Sequence, residues 1–261
     1  MTGEPVRVET RDGIRTLTVD RPEKLNALNT AVLDVLDARI AEAGADRTLR
    51  CLILTGAGEK AFIAGADIGE LVKLTPLDGR EHARRGQALL DRLENLPIPS
   101  IAAINGFAYG GGLELALACT LRVASENAKM GLPETSLGIL PGYGGTQRLT
   151  RLLGKARAAE LILTSEKGTT AAEAWRLGLV NRVVPAGQAL AAATDLALAI
   201  AKNGPIACRF ALEAIRRGAE MPLAEGLAYE ATLFGLCAST EDMKEGMTAF
   251  LEKRPARFTG R

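Results

Sequence analysis

Histidine is almost absent from this chain, since His82 is the only one among its 261 residues. Catalytic triads and metal sites that depend on several histidines are therefore excluded. In an enzyme of this composition, acid and base catalysis would fall to carboxylates, tyrosine, lysine or cysteine. His82 itself lies in the charged segment GREHARRG, a pattern that predicts a solvated position on an exposed helix.

The chain also lacks an excess of charge and any closely spaced pair of cysteines. Lys and Arg total 32 against 31 for Asp and Glu, so the composition does not support binding to nucleic acid or to a membrane surface. No CxxC pattern occurs, and each of the four cysteines has apolar or helical neighbours: Cys51, Cys119, Cys208 and Cys237. This pattern indicates buried free thiols in a reducing compartment.

Long apolar runs are missing as well. Asn105 and Glu114 interrupt one apolar stretch and Asp195 another, before either reaches the roughly 20 residues that cross a membrane. The first residues, MTGEPVRVET, lack the charged and then apolar pattern of a secretion signal. We therefore expect a cytoplasmic protein, with a mature organellar protein as the alternative.

What the chain does contain is an alternation of short strands and helices. An N-terminal hairpin is predicted to turn at Asp12-Gly13, and three buried strands follow at 51–54, 101–104 and 121–124. Helical spacing of apolar residues separates these strands, and from about residue 143 nearly every segment is helical. The order predicts an α/β fold with a parallel sheet, followed by a helical region suited to a lid or an oligomer interface.

Glycine, at 28 residues, clusters at places that chemistry could use. The segment TGAGEKA (55–61) resembles a GxGxxA dinucleotide fingerprint, but no helix pattern follows it, so we interpret it as a loop. The segment NGFAYGGGLEL (105–115) leads from a buried strand into a helix start. Backbone N–H groups there are uncovered by side chains and could bind a phosphate or a developing oxyanion. A nucleotide phosphate loop is excluded, because no GK[ST] follows.

Two glutamates stand beside Gly-rich helix starts. Glu114 lies in the first turn of an apolar helix, and Glu134 opens a short turn ahead of a second Gly-rich loop at 141–145. Glu114 could cap its own helix or pair with an arginine, or it could be a desolvated carboxylate poised for proton transfer. Together the two suggest paired carboxylates around a small polar pocket.

Four stretches resemble, in order, motifs of one enzyme family. They are DRPEKLNALN (20–29), AFIAGADIGEL (61–71), the long segment GGGLELALACTLRVASENAKMGLPETSLGILPGYGGTQRL (110–149) and EGMTAFLEKRPARF (245–258). The family is the crotonase, or enoyl-CoA hydratase/isomerase, superfamily, and the resemblance covers about residues 6–258. It implies a spiral of ββα turns over residues 1–200, in place of a simple doubly wound sheet, and a C-terminal helical trimerisation region over 201–261. Family members are commonly trimers or dimers of trimers.

The resemblance also implies the site. The backbone N–H groups of Ala66 and Gly111 would hold a thioester carbonyl, and a Cβ at position 111 would crowd the ligand. Glu114 and Glu134 would be the catalytic acid and base of a hydratase. An acyl-CoA thioester would be the substrate, with coenzyme A as part of it and no metal or other cofactor. The implied coenzyme A contacts are Lys24, Leu25, Ala27, Ala64, Ala66, Asp67, Ile68, Gly69 and, from a neighbour's tail, Phe250 and Lys253.

The implied reaction is syn addition of water to a 2-enoyl-CoA, which gives a 3-hydroxyacyl-CoA. Glu114 would deprotonate the water that attacks C3, and Glu134 would deliver a proton to C2. Two positions depart from the family pattern. Gly69 stands where many hydratases have Lys, and Thr120 stands where many members have an Asp that is usually structural.

Several alternatives stay open on the sequence alone. A Δ3,Δ2-enoyl-CoA isomerase needs only one base, and parts of the sequence also resemble methylglutaconyl-CoA hydratases. One type of that subgroup binds RNA through a Lys-rich first helix, but the matching segment here (30–42) has three acids and one base. The acyl-chain length is also open, because the following residues fit either a pocket lining or core packing: Tyr109, Ile139, Leu140 and Tyr143.

Overall fold

The computed structural model of the chain describes residues 4–165 and 168–261. Within these ranges the strands are β1 (Val6–Arg11), β2 (Ile14–Val19), β3 (Cys51–Gly56), β4 (Ala61–Ile63), β5 (Ser100–Ile104), β6 (Phe107–Tyr109), β7 (Leu121–Ser125), β8 (Lys129–Gly131), β9 (Thr169–Thr170) and β10 (Arg182–Val184). The helices are α1 (Thr30–Ala45), α2 (Ile68–Leu71), α3 (Pro76–Glu94), α4 (Gly111–Ala118), α5 (Gly145–Leu153), α6 (Lys155–Leu163), α7 (Ala171–Arg176), α8 (Ala189–Ala201), α9 (Pro205–Gly218), α10 (Leu223–Cys237) and α11 (Glu241–Leu251).

The strands form two sheets that the chain visits in alternation. One sheet has the order β1-β2-β3-β5-β7-β10 and the other the order β4-β6-β8-β9. The pairs β3–β4, β5–β6 and β7–β8 each give one strand to each sheet, and helices follow the pairs. This repeat is the predicted spiral of ββα turns, and it replaces the doubly wound sheet that the strand pattern suggested.

The larger sheet is parallel except for its first pair of strands. β1 and β2 are antiparallel, and they turn at Asp12-Gly13, where both residues have positive φ as the hairpin prediction requires. β3, β5 and β7 are buried because both faces of this sheet are covered. Leu52 and Leu54 face the main core with α1 and α3, whereas Cys51 and Ile53 face a smaller cluster under α8.

The helix α4 lies inside the molecule, and all eight of its residues are buried. Its first turn is built from glycine because the neighbouring backbone is too close for a side chain. A Cβ on Gly112 would lie 2.0 Å from the carbonyl oxygen of Ile63 in β4. Gly110 has a φ of 51° and its N–H donates to Gly131 of β8, so β6 turns sharply into the helix.

The C-terminal helices pack mainly on each other. α10 lies against α9, yet only Leu233 of its fifteen residues is buried. The end of the chain folds back over α11, where the buried carboxylate of Asp242 accepts the N–H groups of Thr259 and Gly260. In a single chain these helices therefore leave a broad apolar surface exposed.

The predicted strands and helices are confirmed, with two details that differ. The smaller sheet was not predicted, because its strands are only two or three residues long. Cys51 and Cys119 are buried as expected, whereas Cys208 and Cys237 are only half-buried. The segment 55–61 leaves β3 and enters β4 without a helix, so its interpretation as a loop is confirmed. No helix in the described ranges has both the length and the apolarity needed to span a bilayer.

Candidate active site

Glu114 is a buried carboxylate in the first turn of α4. It is 2% exposed, and its Oε1 accepts the backbone N–H groups of Tyr143 (2.8 Å) and Gly145 (2.7 Å). The pKa of Glu114 is raised to about 7, mainly by burial and also by the charge of Glu134, against the lowering effect of the two N–H donors and Arg148. The sequence left open whether Glu114 caps its helix, pairs with an arginine or is desolvated, and the structure shows a desolvated carboxylate.

Glu134 lies in a one-turn 3-10 helix, Pro133–Leu137, that follows β8. It is 9% exposed, and its Oε2 is buried without a hydrogen-bond partner among the described residues. Its Oε1 lies beside Gly110, where a Cβ would come within 2.9 Å of it. Burial raises the pKa of Glu134 to about 7. Two carboxyl groups that can gain or lose a proton near neutral pH therefore lie in the same region.

The backbone amides of Ala66, in the loop after β4, and of Gly111, at the start of α4, lie in neighbouring segments. A Cβ on Gly110 would be 3.7 Å from the Cα of Gly65, so the residues that follow these two glycines are close together. Leu28 pairs with this loop through Gly65 and Asp67, which leaves the N–H of Ala66 pointing away. Gly111 is the first residue of α4, so its N–H has no partner within the helix. Neither N–H has a hydrogen-bond acceptor among the described residues.

Glycine at position 111 is also favoured by the packing of the protein itself. A Cβ there would lie 3.2 Å from the ring of Tyr143 and 3.4 Å from Leu28, so a side chain would meet the protein core. The expectation that a side chain would crowd a ligand stays a prediction, and this packing constraint is added to it. The consequence for the backbone is the same, because the N–H of Gly111 stays uncovered.

The first group of expected coenzyme A contacts lies beside the Ala66 loop. The N–H of Ala64 donates to the carbonyl of Leu25, and both Leu25 and Asn26 have the left-handed backbone that this close turn requires. Asn26 is buried and donates to Ala57 and Ala61, which anchors the turn. The structure therefore brings together the segments that contain Lys24, Leu25, Ala27, Ala64, Asp67, Ile68 and Gly69.

The two expected contacts from the C-terminal tail are placed differently. Phe250 is 82% exposed near the end of α11, and Lys253 lies two residues beyond that helix. No hydrogen bond or ion pair among the described residues joins either of them to the loop at 64–69. The single chain therefore leaves both available to another molecule.

The prediction for His82 is wrong, because this residue is half-buried and bonded. Its Nε2 lies 2.6 Å from the hydroxyl oxygen of Tyr143, and the two rings are 5.4 Å apart. Burial lowers the pKa of His82, against the raising effect of Glu70. A sign was present in the sequence: Gly86, an unusual residue in a helix, lies one turn after His82, and a Cβ there would overlap the ring of Tyr143.

Four residues fitted either a pocket lining or core packing on the sequence alone, and the structure places them differently. Tyr143 is 4% exposed and belongs to the main core, whereas Ile139 and Leu140 are exposed on the loop after Glu134. Tyr109 is half-buried and stacks on Phe107. Among the described residues, no group of three or more His, Cys, Asp or Glu side chains is placed to hold a metal ion.

Comparison with known proteins agrees with this arrangement. Residues 9–261 match the model of the enoyl-CoA hydratase/isomerase family. The chain is 46% identical over 249 residues to the short-chain-enoyl-CoA hydratase of Clostridium acetobutylicum, with 95% of each chain covered. It is 43% identical over 259 residues to the crotonyl-CoA hydratase of Syntrophomonas wolfei, with 99% of each covered.

Solved structures agree as well. The crystal structure of an enoyl-CoA hydratase from Bacillus anthracis superposes with a TM-score of 0.95 at 42% identity, covering 98% of this chain and 100% of that one. The match extends over both sheets and the C-terminal helices, so it concerns the whole fold and not one motif. The chain therefore belongs to the enoyl-CoA hydratase/isomerase family.

Proposed function

We propose that this protein is an enoyl-CoA hydratase, which adds water to the double bond of a 2-enoyl-CoA. The observation that carries the proposal is the pair Glu114 and Glu134, two buried carboxyl groups whose pKa values both lie at about 7. They lie next to two N–H groups that have no acceptor in the described part of the chain. Acid and base groups work best when their pKa lies near the working pH. Two relatives are named for short-chain and crotonyl substrates, so a four-carbon enoyl thioester is the first substrate to test.

The mechanism assigns one role to each group. The amides of Ala66 and Gly111 bind the thioester oxygen and stabilise the negative charge that develops there when water attacks C3. Glu114, held through Oε1, accepts the proton of that water. Glu134 donates a proton to C2, and the product is a 3-hydroxyacyl-CoA. Each turnover leaves Glu114 protonated and Glu134 ionised. The enzyme returns to its starting state when Glu114 releases its proton and Glu134 takes one up.

Coenzyme A binding is assigned to the adjacent segments at 24–27 and 64–69. Lys24 is exposed there and would attract phosphate, and Leu25 and Ile68 offer exposed apolar surface. Phe250 and Lys253 would contact the coenzyme A of a neighbouring subunit. Coenzyme A belongs to the substrate, and no metal or other cofactor has a part in this scheme. The cytoplasmic location expected from the sequence stays a prediction.

We also propose that the protein is a homotrimer or a dimer of trimers, assembled through residues 201–261. The support is the apolar surface of these helices, which includes Leu223, Leu227, Phe234, Met247 and Leu251, all exposed in a single chain. An uncovered surface of this kind marks an interaction site. The boundary at residue 200 falls close to the end of α8 at Ala201.

Binding to RNA through the first helix is disfavoured. Asp34 and Asp37 of α1 pair with arginines of α3, and the single base of the helix, Arg39, is paired with Glu4 and Glu42. A phosphate backbone would find no unpaired positive charge on this helix. Isomerisation of 3-enoyl thioesters needs one carboxylate only, so the second buried carboxyl group favours hydration.

The test follows the loss of the conjugated-thioester absorbance of crotonyl-CoA. The wild type should hydrate it, and Glu114→Gln and Glu134→Gln should each lower kcat by roughly 10²–10⁴, the usual effect of losing a positioned acid or base. Glu59→Gln, at an exposed position, is the matched control and should keep full activity. Wild-type rates in both active-site variants would contradict the proposal.

A further inference from the structure

The loop at 142–145, which supplies both N–H donors to Glu114, is itself held from α3. The side-chain amide of Gln87 donates to the carbonyl of Gly142 at 2.9 Å. His82 bonds the hydroxyl of Tyr143, whose ring lies in the gap left by Gly86, where a Cβ would fall 2.1 Å from the ring. All three residues lie within two turns of α3. His82 and Gly86 are four residues apart and are therefore neighbours on the helix surface, and Gln87 follows Gly86 directly.

Glu114 depends on this loop for its position. Both of its hydrogen bonds with described residues reach Oε1, and both come from the loop, at Tyr143 and Gly145. Its Oε2 has no partner among the described residues and is the oxygen left for a substrate or a water. If the loop shifts, the free oxygen shifts with it, because the two oxygens belong to one planar carboxylate and the loop holds Oε1.

The bond between His82 and Tyr143 is a bond between neutral groups. Burial keeps His82 deprotonated by lowering its pKa, with Glu70 opposing, and the pKa of the Tyr143 hydroxyl is raised by burial and by Glu114 and Glu70, with Arg85 opposing. Other charges around the pair are already engaged. Glu70 accepts the N–H and hydroxyl of Thr30, and Arg85 pairs with Asp34.

We propose that His82 is a positioning residue for hydration: through the hydroxyl of Tyr143 it fixes the loop at 142–145 and thereby the orientation of the Glu114 carboxylate. The inference rests on the proposed function for its effect on turnover. It does not make His82 a catalytic residue, since the hydrogen bond of His82 goes to the hydroxyl of Tyr143 and not to the Glu114 carboxylate. It assigns a role to the one histidine of the chain, which the two-glutamate mechanism leaves unused.

The kinetic test compares His82→Leu, Tyr143→Phe and the double variant with His82→Gln, whose amide can still bond the hydroxyl. His82→Leu and Tyr143→Phe should each lower kcat for crotonyl-CoA roughly tenfold with KM nearly unchanged, because misplacement of a catalytic group by a fraction of an ångström has effects of this size. The double variant should be no slower than either single variant, because both remove the same bond. His82→Gln should recover most of the rate, and Arg84→Gln, on the exposed face of α3, should match the wild type.

A second readout does not need turnover. The pKa of the Glu114 carboxyl is measured by ¹³C NMR, with Glu114→Gln for assignment, in the wild type, Tyr143→Phe and His82→Leu. Hydrogen bonds to a carboxylate lower its pKa, so a loosened loop should raise the pKa of Glu114 in both variants and leave it unchanged in Arg84→Gln.

The outcomes separate the two proposals. A wild type without hydratase activity, together with the upward pKa shift, would overturn the proposed function and leave the positioning role standing. An active wild type with unchanged kcat and unchanged Glu114 pKa in Tyr143→Phe and His82→Leu would overturn the role of His82. Should His82→Leu fail to fold, Tyr143→Phe still decides the question, since it keeps the buried ring and removes only the hydroxyl that His82 bonds.

Discussion

At the scale of single residues, burial determines what Glu134 can do. A carboxyl group at the surface is ionised at neutral pH, whereas burial raises the pKa of Glu134 to about 7. The same burial makes the folded state less stable once the group ionises. In the unfolded chain the glutamate loses its proton near its ordinary pKa of about 4.3. The free energy of unfolding therefore falls as the pH rises from about 4.3 to about 7, and the full loss is reached above the pKa of the folded state.

We therefore expect Glu134→Gln to stabilise the protein more at high pH than at low pH. The gain in Tm over the wild type should grow by about 2–4 °C between pH 5 and pH 8, the shift that roughly 1 kcal/mol produces in a domain of this size. Differential scanning calorimetry at the two pH values measures it. The exposed Glu59→Gln should show no such dependence, and an equal gain at both pH values would argue against a raised pKa for Glu134.

At the scale of elements, α4 is held at both ends by devices that suit a helix inside a protein. Its N-terminus is formed by glycines that allow close contact with β4, as described above. Beyond its C-terminus, the buried Arg122 donates to the carbonyls of Ala116 and Cys119, and to Leu179 near β10. A positive charge is favourable at the C-terminal end of a helix dipole, so Arg122 needs no carboxylate there. Thr120, at the position where many relatives have Asp, instead exchanges hydrogen bonds with Ser100.

Removing the guanidinium of Arg122 should make the protein less stable. Arg122→Met would leave buried carbonyls without donors, and we expect a loss of about 2–4 kcal/mol in the free energy of unfolding, since each unsatisfied buried group costs about 1–3 kcal/mol. Urea denaturation at fixed protein concentration measures the loss. Arg182→Met, at an exposed position on the neighbouring strand β10, is the control, and equal stability of the two variants would contradict the capping role.

At the scale of the whole molecule, the fold leaves the C-terminal helices incomplete. α10 is apolar in composition, yet in one chain it buries a single residue, and Phe234 on it is 74% exposed. A second copy of the chain would cover such a surface. This completion would also bring Phe250 and Lys253 within reach of a neighbouring subunit, which a single chain cannot do for itself.

The oligomer prediction is tested by sedimentation velocity. The wild type should sediment as three or six chains of 27.5 kDa each. Phe234→Glu should shift the protein to smaller species, because a charge would be buried in the interface without a partner. Val8→Glu, at an exposed apolar position on β1, should leave the mass unchanged. A monomeric wild type would overturn the assembly.

The elements whose pattern is local could be predicted from the amino-acid sequence. The apolar runs of β3, β5 and β7, the hairpin turn and the glycine-rich start of α4 all follow from neighbouring residues. Glu114 and Glu134 could be identified for the same reason, because each stands beside a glycine-rich segment and within a recognisable family motif. Their type and their place along the chain required no knowledge of distant contacts.

The contacts between segments that are distant along the chain became visible in the folded structure alone. The strands of the smaller sheet are too short to show a period, so their pairing depends on the spiral as a whole. His82 lies in a charged segment and looked solvated, yet a partner 61 residues away covers it. The raised pKa of the two glutamates also comes from elements that are far apart along the chain, because desolvation is a property of everything packed around a group.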